Sequence, residues 1–334
     1  MAEATTYNIA GIAEDVTPFL TILEPEETPM LSSFDKTPRP HNTYQEWQVD
    51  NLQTPSFPGV LDGSDVTVFN NKAANRQRIG NYIQWWRQSW MVSRITEAVE
   101  IYGVASEVAN AKEKCMRELK RSIEATIGSD QDRQADNGTV PYLTRGLGTW
   151  IQSSAPADVN AAFRTPANSL NNTAMASLTE DLTNQVFQSQ YEAVGSRRHL
   201  NFYAGPTLKR TISKFQRQEG TTTAKSYMVT QDATEHEIDL RVDLYESDFG
   251  TIEIHSDLFN GVVTDASIAN GFITTTSRER GYVVNPELVG FGYMIGMESV
   301  ELPDQGGGRR GFVHCVGVLI CKNPKGLAKF YATS

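Results

Sequence analysis

The stretch RITEAVEIYGVASEVANAKEKCMRELKRSIEATIG, residues 94 to 128, carries apolar side chains at Ile95, Val99, Tyr102, Ala105, Ala109, Met116, Leu119, Ile123 and Ile127. Steps of three, four and seven put these on one face of an α-helix, and so long a stripe has to lie along a sheet or other helices to be buried. Ser93 stands where an N-cap belongs, Glu97 and Glu100 suit the positive helix end, Lys120 and Arg121 lie toward the other, and Gly128 can end the run. The spacing predicts one helix over 94–128, about 50 Å long at about 1.5 Å per residue. Gly103 is its weakest interior position.

What precedes this rod is extended. Residues 1–40 alternate short apolar clusters, such as FLTIL at 19–23, with PEETP and TPRP, whose prolines forbid long regular elements. That reads as an arm needing another surface to lie on. TYQEWQV (43–49) and the Ile-, Tyr- and Trp-rich run from Arg76 to Val92 are strand-forming. Between them DNLQTPSFPGVLDGSDVTVFNNKAAN is turn and loop chemistry, and a loop of that length belongs to something that reaches out. The two strands and their irregular tip predict a long β-arm.

The return strand poses a puzzle. IGNYIQWWRQSW (79–90) holds three of the chain's five tryptophans amid polar residues. Indole faces serve carbohydrate platforms, base-stacking surfaces and protein interfaces. On an arm outside any core the interface reading fits best, with Trp47, Tyr82, Trp85, Trp86 and Trp90 as anchors.

After the rod, 129–176 is polar loop with short strands at most, broken by RGLGTWI. A second helix is expected in SLTEDLTNQVFQSQYEAVG, with Ser177 and Glu180 as a capping box, Leu182, Val186 and Tyr191 inward and Gly195 at its end. HLNFYAG reads as a buried strand and PTLKRTISKFQ as a short helix opened by proline. The C-terminal half is mostly β: HEIDLRVDLYES and GTIEIHSDL form a hairpin around Asp248, Phe249 and Gly250, and YVVNPELVGFGYMIG and GFVHCVGVLICK follow. The last is apolar enough to be a central strand.

Little here points to catalysis. The five histidines have no metal-ligand spacing, and His314 and Cys315 would face opposite sides of a strand. Cys115, Cys315 and Cys321 are too few for a disulfide framework and read as buried thiols. GGG at 306–308 with Arg309 and Arg310 lacks the phosphate-loop spacing and reads as a hairpin tip, and the lone DFG lacks every companion motif of a kinase. No catalytic residue, metal or cofactor is assigned. A net charge of −10 argues against a DNA-reading face, although an acidic shell can still enclose nucleic acid. With no apolar run near ~18 residues and no signal-peptide pattern, the expectation is a soluble protein made in cytoplasm-like conditions.

The order of the elements, with the strings YQEWQVDNL, IGNYIQWW, MRELKRSIEATIG, RGLGTWI, LTEDLTNQVFQSQYEAVG, HLNFYAGPTLKRTISKF and VDLYESDFGTIEI, resembles the major capsid protein of a tailed bacteriophage with the Hong Kong 97-type fold. The resemblance runs from about Pro25 to Ile254 and weakens at HSDLFNG. It implies an α+β subunit with an N-terminal arm (1–40), an E-loop (41–93), a P-domain (94–176) with spine helix 94–128, an A-domain (177–300) and a C-terminal β segment (301–334) returning to either domain. It further implies a non-enzymatic structural protein of the virion, assembled in the host cytoplasm. Copies would form the pentamers and hexamers of an icosahedral head enclosing double-stranded DNA without sequence-specific binding and without membrane, with scaffold, portal or decoration proteins as further partners. Some relatives form a Lys to Asn cross-link; Lys72 beside Asn70 and Asn71 is read as coincidence. The other readings are a carbohydrate-binding or adhesin-like virion protein and an unidentified hydrolase.

Overall fold

The computed structural model describes residues 27–55, 59–99, 101, 103–154, 156–195, 198–215, 243–260 and 275–331. The expected FLTIL cluster of the arm and the first part of the HEIDLRVDLYES strand lie outside the described residues.

The chain enters through a one-turn helix α1 (Pro29–Ser33) and a two-residue strand β1 (Asp35–Lys36). Strands β2 (Tyr44–Val49) and β3 (Gln77–Tyr82) then pair antiparallel as an isolated ribbon, Tyr44 opposite Tyr82 and Val49 opposite Gln77. Strand β4 (Gln84–Ser93) follows after a break at Ile83 and leaves the ribbon. It pairs along its length with β11 (Gly308–Cys321), which is central as its apolar sequence predicts, between β4 and β10 (Val289–Leu302). With β1 parallel to β10, the order is β1-β10-β11-β4. The projecting arm therefore ends at Tyr82, and 84–93 belongs to the body of the subunit. The reason lies in period-two alternation: Trp86, Trp90 and Val92 fall on one face of β4 and are buried there, while Trp85, Arg87 and Met91 point away.

The helix expected over 94–128 is two helices, α2 (Arg94–Ala98) and α3 (Glu107–Ile127). Ser93 caps α2, accepting from the Thr96 amide at 3.2 Å, but Gly103 sits at φ +83°, which right-handed helix cannot contain. Ser106 then caps α3 through the Ala109 amide, and Gly128 ends it. The apolar stripe splits with the helix: of its expected members Leu119, Ile123 and Ile127 are buried and Met116 is half-buried, whereas Ile95, Val99, Ala105 and Ala109 are exposed, and Val108 and Cys115 take the inward positions of the first turns of α3. The remaining rod is about 32 Å long at ~1.5 Å per residue. It packs across β4 and β11, with the Trp86 indole donating to Thr126 Oγ1 at 3.1 Å.

A second sheet completes the molecule, in the order β5-β12-β9-β6-β8-β7. Its strands are β5 (Leu170–Asn171), β6 (Arg198–Ala204), β7 (Leu244–Ser247), β8 (Gly250–Ser256), β9 (Gly281–Val284) and β12 (Ala328–Phe330). The expected hairpin is there, Ser247 opposite Gly250 across the Asp248-Phe249 turn. Helix α5 (Glu180–Val194) is capped by Thr179 rather than Ser177, because the Thr179 hydroxyl reaches the Leu182 amide, and Gly195 ends it in the left-handed region. Val186 and Phe187 of α5 and Leu208 and Ile212 of α6 (Pro206–Phe215) bury against Phe202, Ile252, Ile254 and Phe330 of the sheet. Short helices α4 (Leu147–Trp150) and α7 (Thr275–Glu279) lie in the connections, α4 formed by the RGLGTWI string. The C-terminal segment serves both sheets, β11 in the first and β12 in the second.

Candidate assembly surface

The base of the β2–β3 ribbon is fixed to the body by polar bonds that its sequence supplies at period two. Asn81, fully buried, donates from Nδ2 to Thr144 Oγ1 (2.9 Å) and to the Leu319 carbonyl (2.8 Å) and accepts the Arg145 amide on Oδ1 (2.8 Å). Gln77 donates to the Asp158 carbonyl at 2.6 Å and accepts the Asn160 amide at 2.7 Å. Arg133 lies over the Tyr44 ring at 5.1 Å and donates to the Gly80 carbonyl at 2.6 Å. Nothing comparable holds the other end. Across 50–76 the described residues form no strand, and Leu52, Val60, Leu61, Val66, Val68 and Phe69 are exposed, Leu52 at 96% and Phe69 at 85%. Asp50 and Arg76 close the neck with an ion pair at 3.1 Å. Lys72 donates to Gln53 Oε1 at 2.8 Å, and Asn71 accepts the Ala73 amide, so both serve the loop itself. Apolar side chains exposed together on a loop above a fixed stem mark an interaction surface.

The outward face of the first sheet is the second such feature. Register places Arg87 opposite His314 and Ser89 opposite Phe312. It also places His314 opposite Glu298 and Phe312 opposite Val300, so these side chains share one side. Trp85, 57% exposed, donates its indole N–H to His314 Nδ1 at 3.2 Å. That bond leaves the His314 proton on Nε2, which meets Glu298 Oε1 at 2.9 Å. Arg87 lies over both the Trp85 and Phe312 rings, at 5.2 and 5.9 Å. Met91 and Leu302 extend the patch.

The five residues expected as intersubunit anchors are thus divided. Trp86 and Trp90 are spent within the chain: each is 6% exposed, Trp86 on Phe291 and Thr126 and Trp90 under Lys112. Their expected place in an interface is corrected by β4 joining the sheet under α3. Trp47 is half-buried against Trp150, 5.9 Å between rings, with its N–H on the Lys322 carbonyl. Tyr82 is half-buried between Tyr44 and Tyr142. Trp85 alone of the five is exposed. Sequence reasoning missed Arg87, Phe312 and the tip hydrophobes as a set; the isolated apolar residues of GVLDGSDVTVF, too few for a core and too many for a solvated loop, were the available signal.

Among the described residues no group of three or more His, Cys, Asp and Glu is placed to hold a metal, and no helix is long and apolar enough to cross a membrane. The three cysteines are buried and unpaired; burial pushes the Cys315 thiol up to about 12. They sit in the core as small hydrophobes.

A helix laid across a four-stranded sheet, a second sheet clad by two helices and a projecting hairpin define the subunit of a Hong Kong 97-type phage capsid. Solved structures agree in fold. That of Mycobacterium phage Bobi matches with TM-score 0.62 at 10% identity, covering 100% of each chain. The capsid of the cyanophage P-SCSP1u gives 0.58 at 10%, over 96% of this chain and 93% of that one. The mature capsid of bacteriophage PhiM1 gives 0.58 at 11%, over 98% and 92%. No curated protein sequence matches. The model of the SU10 major capsid protein family matches residues 2–334, and the chain belongs to that family. It is a structural component of the virion; neither the carbohydrate-binding nor the hydrolase reading finds support.

Proposed function

We propose that copies of this chain assemble into pentamers and hexamers that close an icosahedral head around double-stranded DNA, with no catalytic step of their own. The observation that carries this reading is the 50–76 tip, apolar and unsupported on a stem bonded to the body. A contact from an arm onto a different patch of the next copy is heterologous, and heterologous contacts close into rings where the rotation between copies divides a full turn. The net charge of −10 suits an enclosure that holds DNA by confinement rather than by reading it. In this reading 1–40 is the N-terminal arm, 41–82 the E-loop, 84–93 its return into the body, 94–176 the P-domain, 177–300 the A-domain and 301–334 the closing β segment. Assembly takes place in the host cytoplasm, where scaffold, portal and decoration proteins are the further partners.

The acceptor for a neighbour includes Trp85, with Trp47 and Tyr82 lending half-exposed edges. Trp85→Ala is expected to change folding stability by about 1 kcal/mol or less, since the side chain is outside the core. The same change should raise the concentration needed for assembly roughly thirtyfold, the effect of an interface hot spot. Sedimentation and negative-stain microscopy of the purified chain measure both the reading and the variant. Capsomers or shells are expected; a stable monodisperse monomer at high concentration overturns the assembly reading.

A further inference from the structure

Three segments far apart in sequence meet at the C-terminal end of α3. A Cβ placed on Gly128 would lie 3.1 Å from Met30 Cε, 3.2 Å from the Phe259 carbonyl and 3.3 Å from Asn260 Cα, so α1, α3 and the turn after β8 converge there. One turn back, Glu124 is fully buried, and its carboxylate oxygens accept the Met30 amide at 2.7 Å and the Leu31 amide at 2.8 Å. These are two of the orphan N–H groups that open α1. Asp257, also fully buried, accepts the Phe259 amide on Oδ1 at 2.8 Å, and its Oδ2 has no partner. Asn260 donates to the Tyr203 carbonyl at 3.1 Å while its Oδ1 is likewise unpartnered and buried. Tyr203 closes the circle: its hydroxyl is bonded to Ser33 of α1 and its ring meets Phe34 edge-on at 5.8 Å.

We infer that Glu124 and Asp257 hold one proton between them, and that this proton latches the N-terminal segment Pro29–Lys36 onto α3 and the end of β8.

Two buried carboxyl groups acting on each other without a bonded cation cannot both ionise cheaply. Burial first, and the charge of Asp257 second, raise Glu124 well above the carboxylate range; burial raises Asp257 to about 7. Each carboxyl accepts two amides, Glu124 those of Met30 and Leu31 and Asp257 those of Phe259 and Leu258, so the proton belongs to the pair rather than to either carboxyl alone. Among the described residues, the titratable groups whose interactions are seen around them supply no neutralising charge. Burial raises the phenols of Tyr203 and Tyr293, each to about 12, and that of Tyr282 further. Tyr282 donates to the Gly128 carbonyl, and Arg280 behind it is held by Asp130 at 2.8 Å. His255, stacked on Tyr203, faces Glu253 at 3.6 Å. Arg121, half-exposed, lies over the Phe259 ring at 5.9 Å.

The sign follows from linkage. The latched state binds a proton that the opened state releases, so latching is complete at acid pH and is lost as pH rises through the raised value of the pair. Opening detaches Met30 and Leu31 from Glu124 and, with them, the β1 edge that Asp35 and Lys36 add beside Gly290 and Phe291.

Amide hydrogen exchange of the purified full chain between about pH 4.5 and 9, corrected for intrinsic exchange, tests this. Protection of the peptide holding Met30 and Leu31 should fall by up to tenfold per pH unit from the ordinary carboxylate range, about 4, up to about 7, the slope of a single released proton, and level off above it. Asp257→Asn, which mimics the protonated form, should remove that slope, and Glu124→Gln should lower protection at every pH. Infrared spectra supply a second reading, independent of the variants' folding: a buried protonated-carboxyl C=O band in the wild type that disappears over the same pH range. Flat corrected protection in the wild type, or a band absent at pH 6, overturns the proposal.

Discussion

Arg145→Ala is expected to lower the thermal midpoint by roughly 5–10 °C, from a loss of about 3–5 kcal/mol, as for a buried ion pair stripped of one partner. Arg145 is 1% exposed, and its guanidinium lies 4.7 Å above the ring of Trp150, itself fully buried. It donates to Asp132 at 2.6 Å and to Asp158 at 2.8 Å, while its backbone is bonded on both sides by Asn81. One residue thus joins the loop after α3, the floor under Trp47 and the stem of the projecting ribbon. Substitution by alanine leaves a void beside Trp150, takes the cation from Asp132 and leaves Asp158 with Arg133 alone. Arg145→Lys should recover part of the loss, since charge returns but the two-pronged bond to Asp158 and the stacking do not. Burial pushes the Asp158 carboxyl up, and Arg145 and Arg133 more than offset it, holding it below the usual range. The stability that this adds is present above about pH 4 and fades as pH falls through the depressed value. Differential scanning calorimetry at pH 7 and pH 3.5 reads both effects: the variant's deficit should shrink at the lower pH.

How this site escaped a sequence reading is instructive. Arg145 sits in RGLGTWI, seven residues with no periodicity, flanked by polar loop, and nothing local marks its arginine as buried. The partners lie at Asn81, Asp132 and Asp158 in separate segments, and only the folded chain brings them together. Periodicity, by contrast, is local. It marked α5 and α6, the hairpin around Asp248 and the centrality of β11, because each is decided by side-chain alternation or capping within its own segment. It erred at 94–106, where apolar spacing continued past a glycine whose backbone is left-handed. It also set on the arm three tryptophans that lie on β4 in the body, two of which, Trp86 and Trp90, are buried within the chain. An alternating strand with Trp at 86 and 90 and at 85 reads the same whether one face meets a neighbour or its own α3, so the pattern gives the faces but not their occupants.

Replacing residues 52–74 by a two-residue Asn-Gly turn between the ribbon strands should abolish assembly while leaving the subunit folded. The stem does not depend on the tip. Its bonds run from Asn81, Gln77 and Arg133 into the body, its six paired residues end at Val49 and Gln77, and the excised residues bury no apolar side chain among those described. Shortening a loop lowers its closure entropy, by only about 0.6 kcal/mol per halving, so the stem should if anything gain slightly. What is lost is the apolar set Val60, Leu61, Val66, Val68 and Phe69, each worth about 1.5–3 kcal/mol when fully covered. Even with most of that offset by ordering the loop and by lost rotational freedom, the remainder separates a lattice from dispersed subunits when each copy donates one tip and receives another. Calorimetry should therefore return a melting transition within a few degrees of the parent, and analytical ultracentrifugation should find no species above a single subunit. Assembly persisting after the excision would place the contacts that hold the shell on the sheet face of Trp85 and Arg87, with the tip left as a spacer. A collapse of the melting transition would mean instead that the stem needs its tip.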